Sequence, residues 1–162
     1  MKFEIEGELP QERRFLTDSE YDFVFQRAVR FCLDFLIVKD KEFMLMQRTK
    51  ERQKGIWSLV GGMMRYKETF DQATERLLTE EINCKPNKEK IWLLGAIQFM
   101  DEGKFHSVSN VLVVTLKDMI NFKLSDQGLA VKFFSSLPMA NLHPEHGVFL
   151  KEHWPTIQAM LK

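Results

Sequence analysis

WSLVGGMMRYKETFDQATERLLTEEINC, residues 57–84, is the stretch whose reading decides the fold. It divides into a short strand at 57–60, a double-glycine turn at Gly61 and Gly62, a loop, and a helix beginning near Thr69. Thr69 followed three residues later by Gln72 is a capping box, in which each side chain bonds the other residue's backbone N–H. The helix carries Glu75, Arg76, Glu80 and Glu81. At about 100° per residue, Glu81 projects between Phe70 and Leu77, close to Ala73 and Cys84. By this reading neither Glu80 nor Glu81 stands opposite the apolar stripe, where a solvated charge run belongs. Burying an unpaired carboxylate is costly, so this face calls for a cation or an arginine. Carboxylates facing a turn that offers backbone carbonyls make a hard, oxygen-rich site, suited to Mg²⁺ or Mn²⁺ better than to zinc.

The spacing Gly62-x5-Glu68-x7-Arg76-x-Leu78-x-Glu80-Glu81 resembles the Nudix box, G-x5-E-x7-R-E-U-x-E-E-x-G-U, where U is aliphatic. With each residue type at about 5–7% of composition, a chance match of the five fixed residues has odds of about one in ten thousand. Two positions depart: Leu77 stands where the box has its second glutamate, and Asn83 where it has glycine. Asn tolerates the left-handed conformation that ends helices. Leu77 removes a carboxylate one turn before Glu81. The resemblance implies an α/β protein, an α/β/α sandwich with a mixed sheet. Residues 29–162 are then the Nudix domain, with 1–28 an arm and helix of the same unit. It also implies a metal-dependent hydrolase. Gly61, Glu68, Glu80, Glu81 and Gln127 are its metal candidates, and Glu80 and Arg76 act in catalysis.

Within the family, the Leu77 departure resembles the GDP-mannose mannosyl hydrolase branch, whose helix carries the same E-R-L run as Glu75-Arg76-Leu77. Leu33-Asp34-Phe35 and the basic strand end at Arg48 are similar too. In that branch the metal ligands map onto Gly61, Glu81 and Gln127, whereas the histidine base maps onto Gly128. The resemblance therefore implies Mg²⁺-dependent hydrolysis of a nucleoside diphosphate joined to another group, most closely a nucleotide sugar. Two alternatives are a nucleotide-sugar binding module that lost its chemistry, and a conventional pyrophosphohydrolase with Glu80 as base.

Composition bounds the rest. With 162 residues, 44% of them apolar, the chain has material for one core. Lys plus Arg is 23 and Asp plus Glu is 23, so no general attraction to nucleic acid is expected. Cys32 and Cys84, read as lying in regular elements, suggest reduced thiols and a cytoplasmic home. The charged N-terminus does not read as a signal peptide, and no apolar run reaches membrane-spanning length. The expected partners are a small-molecule nucleotide or nucleotide sugar, with a homodimer allowed.

In chain order, an arm at 1–16 has a short strand at 2–5 and a turn at Pro10. Thr17 with Glu20 opens a helix at about 18–28. Residues 29–38 (VRFCLDFLIV) read as a buried strand interrupted by Asp34, which is either a satisfied buried acid or an acceptor for a ligand. A turn at 39–42 leads to a strand at 43–47. Arg48 at its end is placed to grip a diphosphate bidentately, whereas Lys50 and Arg52 read as solvated. Pro86 and Asn87 read as a turn, followed by strands at 90–100 and 108–117. The loop joining them carries His106, a candidate acid or base against the plain reading of a solvated side chain. A loop at 121–130 carries Asp126 and Gln127, and a strand follows at 131–135. Pro144 opens one amphipathic helix with Leu150, Trp154, Ile157 and Leu161 inward, and His143 and His146 at its start read as caps.

Overall fold

The computed structural model of the chain describes residues 16–49, 54–100, 106–116, 124, 128–138 and 140–162. Its elements are α1 (Asp18–Phe25), β1 (Arg30–Lys39), β2 (Glu42–Arg48), β3 (Trp57–Ser58), β4 (Val60–Met63) and α2 (Phe70–Ile82). They continue with β5 (Pro86–Met100), β6 (His106–Leu116), β7 (Gly128–Phe134), α3 (Pro144–Glu152) and α4 (Trp154–Met160). The strands form one mixed sheet in the order β3-β2-β1-β6-β5, with β4 also pairing on β1 and β7 on β2. β1 runs parallel to β6. The other pairings are antiparallel.

Alternation along β1 builds two cores. Leu33, Phe35 and Ile37 meet Ala73, Leu77, Leu78 and Ile82 of α2 on one face of the sheet. Leu36 packs on the other face with Phe149 and Leu150 of α3 and Ile157 of α4. A strand covered on both faces needs apolar residues at consecutive positions, which is why 33–37 reads as a near-continuous apolar run. The result is the expected α/β/α sandwich. β1 and β2 join through Asp40 and Lys41, at φ 46° and 68°. Two positive φ values in a two-residue turn match the right-handed twist of the hairpin.

Several elements differ from the sequence reading. Gly61 and Gly62 do not form a turn: they lie inside β4, with Gly61 opposite Asp34 and Gly62 opposite Leu33. β5 already begins at Pro86, β7 at Gly128, and α1 ends at Phe25 rather than near residue 28. His106 opens β6 instead of lying in the loop before it. The single C-terminal helix is two, broken at His153, because Pro155 sits in the first turn of α4. A proline there lacks only an N–H that a helix start leaves unpaired, but it cannot continue α3. Cys84 falls just past α2 rather than within a regular element, and neither cysteine is in a disulfide. Burial foremost, with Asp34 adding, pushes the Cys32 thiol up to about 11, which disfavours the thiolate. The expected strand at 2–5, Pro10, Lys50, Arg52, Lys117, Asp126 and Gln127 lie outside the described residues. Among the described residues no helix is long and apolar enough to cross a membrane.

Candidate active site

The 57–84 stretch is held by local bonds at both ends of α2. The Thr69 hydroxyl accepts from the Gln72 N–H at 3.2 Å, and Gln72 Oε1 accepts from the Thr69 N–H at 3.1 Å. At the far end Asn83 takes the left-handed conformation, φ 55° and ψ 40°. The N–H groups of Asn83 and Cys84 turn back to the carbonyls of Thr79 and Leu78. Asn does here what glycine does at most helix ends.

The loop ahead of α2 is closed by Glu68, whose side chain is 0% exposed. Its carboxylate accepts from the Arg65 N–H at 2.9 Å and from Arg76 Nε and Nη2 at 2.7 and 2.8 Å. Arg76 also donates to the Met63 carbonyl and to Glu80 Oε2, both at 2.9 Å. Four of the five N–H groups of a guanidinium are thereby engaged. Burial works against its charge, but Glu68 and then Glu80 outweigh that and raise the Arg76 pKa. Arg76 is thus a strut that ties the end of β4 and the loop to the helix. Glu80 is also met by Arg65 Nη2 at 3.1 Å. Its side chain is 44% exposed, so it stands on the solvated side of α2, contrary to the helical-wheel reading. Its place four residues after Arg76 lets it pair with that guanidinium from the solvated side, where Arg65 also meets it. Glu81, the next residue, is half-buried as expected.

The two glycines are required by what faces them. A Cβ on Gly61 would collide with Asp34 Oδ1 and the Leu33 carbonyl. A Cβ on Gly62 would stand 2.7 Å from Leu77 Cδ2. Leu77 is 3% exposed and belongs to the core under the sheet. The position that lacks its glutamate is filled by packing.

Among the described residues, no three of His, Cys, Asp and Glu converge into a metal cage. Glu68 is locked by three N–H groups, whereas the Glu80 oxygens retain lone pairs beyond their two arginine bonds. Glu80, Glu81 and the Gly61 carbonyl are hard oxygen donors. By donor chemistry alone such oxygens suit Mg²⁺ or Mn²⁺ better than zinc.

A NUDIX domain model matches residues 26–153. The chain belongs to the Nudix family of hydrolases. It is 27% identical over 125 residues to the ADP-ribose pyrophosphatase of Methanocaldococcus jannaschii, covering 75% of this chain and 71% of that one. The fold is similar to the MutT NUDIX hydrolase from Burkholderia pseudomallei, with a TM-score of 0.67 at 22% identity, covering 77% of this chain and 98% of that one. It is also similar to a bifunctional NMN adenylyltransferase/ADP ribose pyrophosphatase from Francisella tularensis, complexed with AMP and a Mn ion. There the TM-score is 0.62 at 19% identity, covering 80% of this chain and 42% of that one.

The other expected residues of this Nudix domain are spread over the fold. Arg48 ends β2, half-buried, with its Nε donating to the Ser58 hydroxyl at 3.1 Å. Asp34 is 5% exposed, and its Oδ2 lies 3.4 Å from His146 Nε2. Burial favours its neutral form, yet His146, Ser109 and Arg48 together hold its carboxyl below the usual range. These neighbours favour the charged carboxylate by their charge and proximity, although neither Ser109 Oγ nor His146 Nε2 reaches hydrogen-bond geometry. His106 reaches Gln98 on β5 at 2.8 Å rather than a residue of the box. At Gly128 a Cβ would stand 2.9 Å from Met46 Sδ.

The histidines on α3 are not caps. His143 is the N-cap residue but makes no side-chain cap bond, and burial, with His146 next, pushes its pKa down to about 4. His146 is 1% exposed and accepts from the Leu59 N–H, a contact the sequence reading missed. The signal was present in the spacing: His146 lies four residues before Leu150, on the buried stripe of α3.

Proposed function

We propose that this Nudix hydrolase cleaves a nucleoside diphosphate joined to a sugar, with Mg²⁺ or Mn²⁺ held by Glu80, Glu81 and the Gly61 carbonyl. The observation that carries this reading is the Glu68–Arg76–Glu80–Arg65 chain of ion pairs. It holds a carboxylate at the surface of α2 beside a cationic loop side chain, the pairing that a metal–diphosphate substrate requires. The cation, when bound, neutralises phosphate charge and polarises the bond that breaks. Arg65 and Arg48 meet the diphosphate, and Glu80 accepts the proton of the attacking water. Asp34 supports the strand behind Gly61. The likeness to an ADP-ribose pyrophosphatase supports attack at phosphorus.

A second reading is favoured by Leu77. With no carboxylate at that position, attack at the sugar carbon with a nucleoside diphosphate leaving group is the alternative, as the mannosyl hydrolase resemblance implies. Incubation with ADP-ribose, GDP-mannose and other nucleotide sugars, with and without Mg²⁺, tests both. A nucleoside monophosphate plus sugar phosphate means phosphorus attack. A nucleoside diphosphate plus free sugar means carbon attack. Tight binding of a nucleotide sugar with no turnover under any cation would leave the chain a binding module. Glu81→Gln is expected to weaken Mn²⁺ binding about tenfold or more while leaving the melting temperature of the metal-free protein unchanged. Calorimetric titration showing undiminished Mn²⁺ affinity would remove Glu81 from the ligand set.

A further inference from the structure

β3 and β4 are one run of chain that pairs first with β2 and then with β1. Leu59 stands at the change of partner and belongs to neither strand. It is fully buried, and a buried N–H left unpaired is costly. Its acceptor comes from 87 residues away, His146 Nδ1 at 3.1 Å. A ring nitrogen that accepts carries no proton, so the ring proton belongs on Nε2. Nε2 is the atom that faces Asp34 Oδ2 at 3.4 Å. The second oxygen of Asp34 occupies the space over Gly61 where a Cβ would have to stand. One imidazole therefore accepts from the amide at the bend and, through Nε2, stands within ion-pair distance, though not in hydrogen-bond geometry, of the carboxylate that lies over the first glycine.

We propose that His146 is a positioning residue: acting through Asp34, it fixes the Gly61 backbone of the candidate site. This rests on the reading of Gly61 as part of the cation and diphosphate site. Partners one layer behind metal ligands commonly change metal affinity or activity by about ten- to a hundredfold when removed.

Two substitutions separate the arms. His146→Asn places an amide oxygen near the Nδ1 position, keeping the Leu59 acceptor and losing the Asp34 contact. His146→Gln places an amide nitrogen near the Nε2 position, keeping the Asp34 donor and losing the Leu59 bond. In the metal-free protein, amide hydrogen exchange at Gly61 and Gly62 is expected to accelerate in His146→Asn and to stay near wild type in His146→Gln. With the nucleotide sugar that the wild type hydrolyses fastest, kcat is expected to fall about ten- to a hundredfold in His146→Asn, with KM changed far less. His146→Gln should stay within a few-fold of wild type. Asp34→Asn should reproduce the exchange result if a glutamine at 146 does not fold. Long-range ¹H–¹⁵N spectra of the wild type should show the proton on Nε2.

Equal losses in both 146 variants, unchanged glycine exchange in His146→Asn, or a proton on Nδ1 would overturn the proposal. If the wild type hydrolyses no nucleotide sugar, the functional reading fails, and the exchange and ring spectra still decide whether His146 positions Gly61.

Discussion

Removing Arg76 isolates the chain of ion pairs around the box. The Glu68 side chain is 0% exposed and that of Arg76 13%, and two bonds of 2.7 and 2.8 Å join them. Breaking a buried pair from one side costs about 3–5 kcal/mol, because the remaining charge stays buried without its partner. The Arg76–Glu80 pair adds little, since Glu80 is 44% exposed and such pairs contribute about 0–1 kcal/mol. Arg76→Met should therefore lower stability by about 3–5 kcal/mol, or roughly 6–20 °C in Tm for a domain of this size. The Arg65 N–H still donates to Glu68, which favours the lower half of that range.

Adding Glu68→Gln to Arg76→Met removes the stranded charge, so the double variant should be more stable than Arg76→Met alone by about 1–3 kcal/mol. There is also a pH signature. Without Arg76, the folded-state pKa of Glu68 rises above its unfolded value. A raised folded pKa adds stability at low pH that is lost as pH rises through it, so the deficit of Arg76→Met should shrink on acidification from pH 7 to pH 4.5. Urea denaturation of the four proteins at both pH values measures all of this. A deficit under about 1 kcal/mol, or a double variant as unstable as the sum of the singles, would refute the strut.

Leu77→Glu puts a carboxylate into the core beside Gly62, so the metal-free protein should lose about 3 kcal/mol or more. If the position faces the cation, saturating Mn²⁺ should restore about 2–3 kcal/mol of that loss, read by melts with and without metal. No recovery would place Leu77 away from the cation. His143 is held at about 4 against an ordinary 6.5, so the unfolded chain takes its proton first. Stability should fall by about 1–2 kcal/mol as pH drops from 6.5 to 4, allowing for partial solvent access, and His143→Gln should flatten that slope in urea titrations. Arg48→Ala should weaken a non-hydrolysable nucleoside diphosphate analogue about ten- to a hundredfold in calorimetry. Unchanged affinity would move the diphosphate to Arg65 or Lys67.

What the sequence determined by itself was everything settled within a few residues. Thr69 with Gln72, Thr17 with Glu20, and Asn83 act through bonds that span three to six positions, so α2 has the predicted start and end and α1 the predicted start. The two-sided burial of β1 was equally plain, because alternation is a property of the strand alone. The five box residues revealed the family for the same reason: Glu68, Arg76 and Glu80 meet within one loop and helix. Pro155 marked a helix break that was legible in the sequence and was missed.

Other outcomes depended on residues far apart in the chain. Two adjacent glycines suit a turn by local preference, yet they lie in β4, paired with Asp34 and Leu33 of β1, where an added Cβ would meet Asp34 or Leu77. Glu80 and Glu81 are adjacent in sequence but about 100° apart around the helix, and Glu80 pairs with Arg76 and Arg65 on the solvated side. The neighbour that Asp34 meets in the fold was likewise not legible from its strand. That neighbour is His146, brought in from α3 by the burial of its helix face. A buried polar group is satisfied by whichever residue the fold delivers, and periodicity, which reports only the direction a side chain faces, does not name that residue.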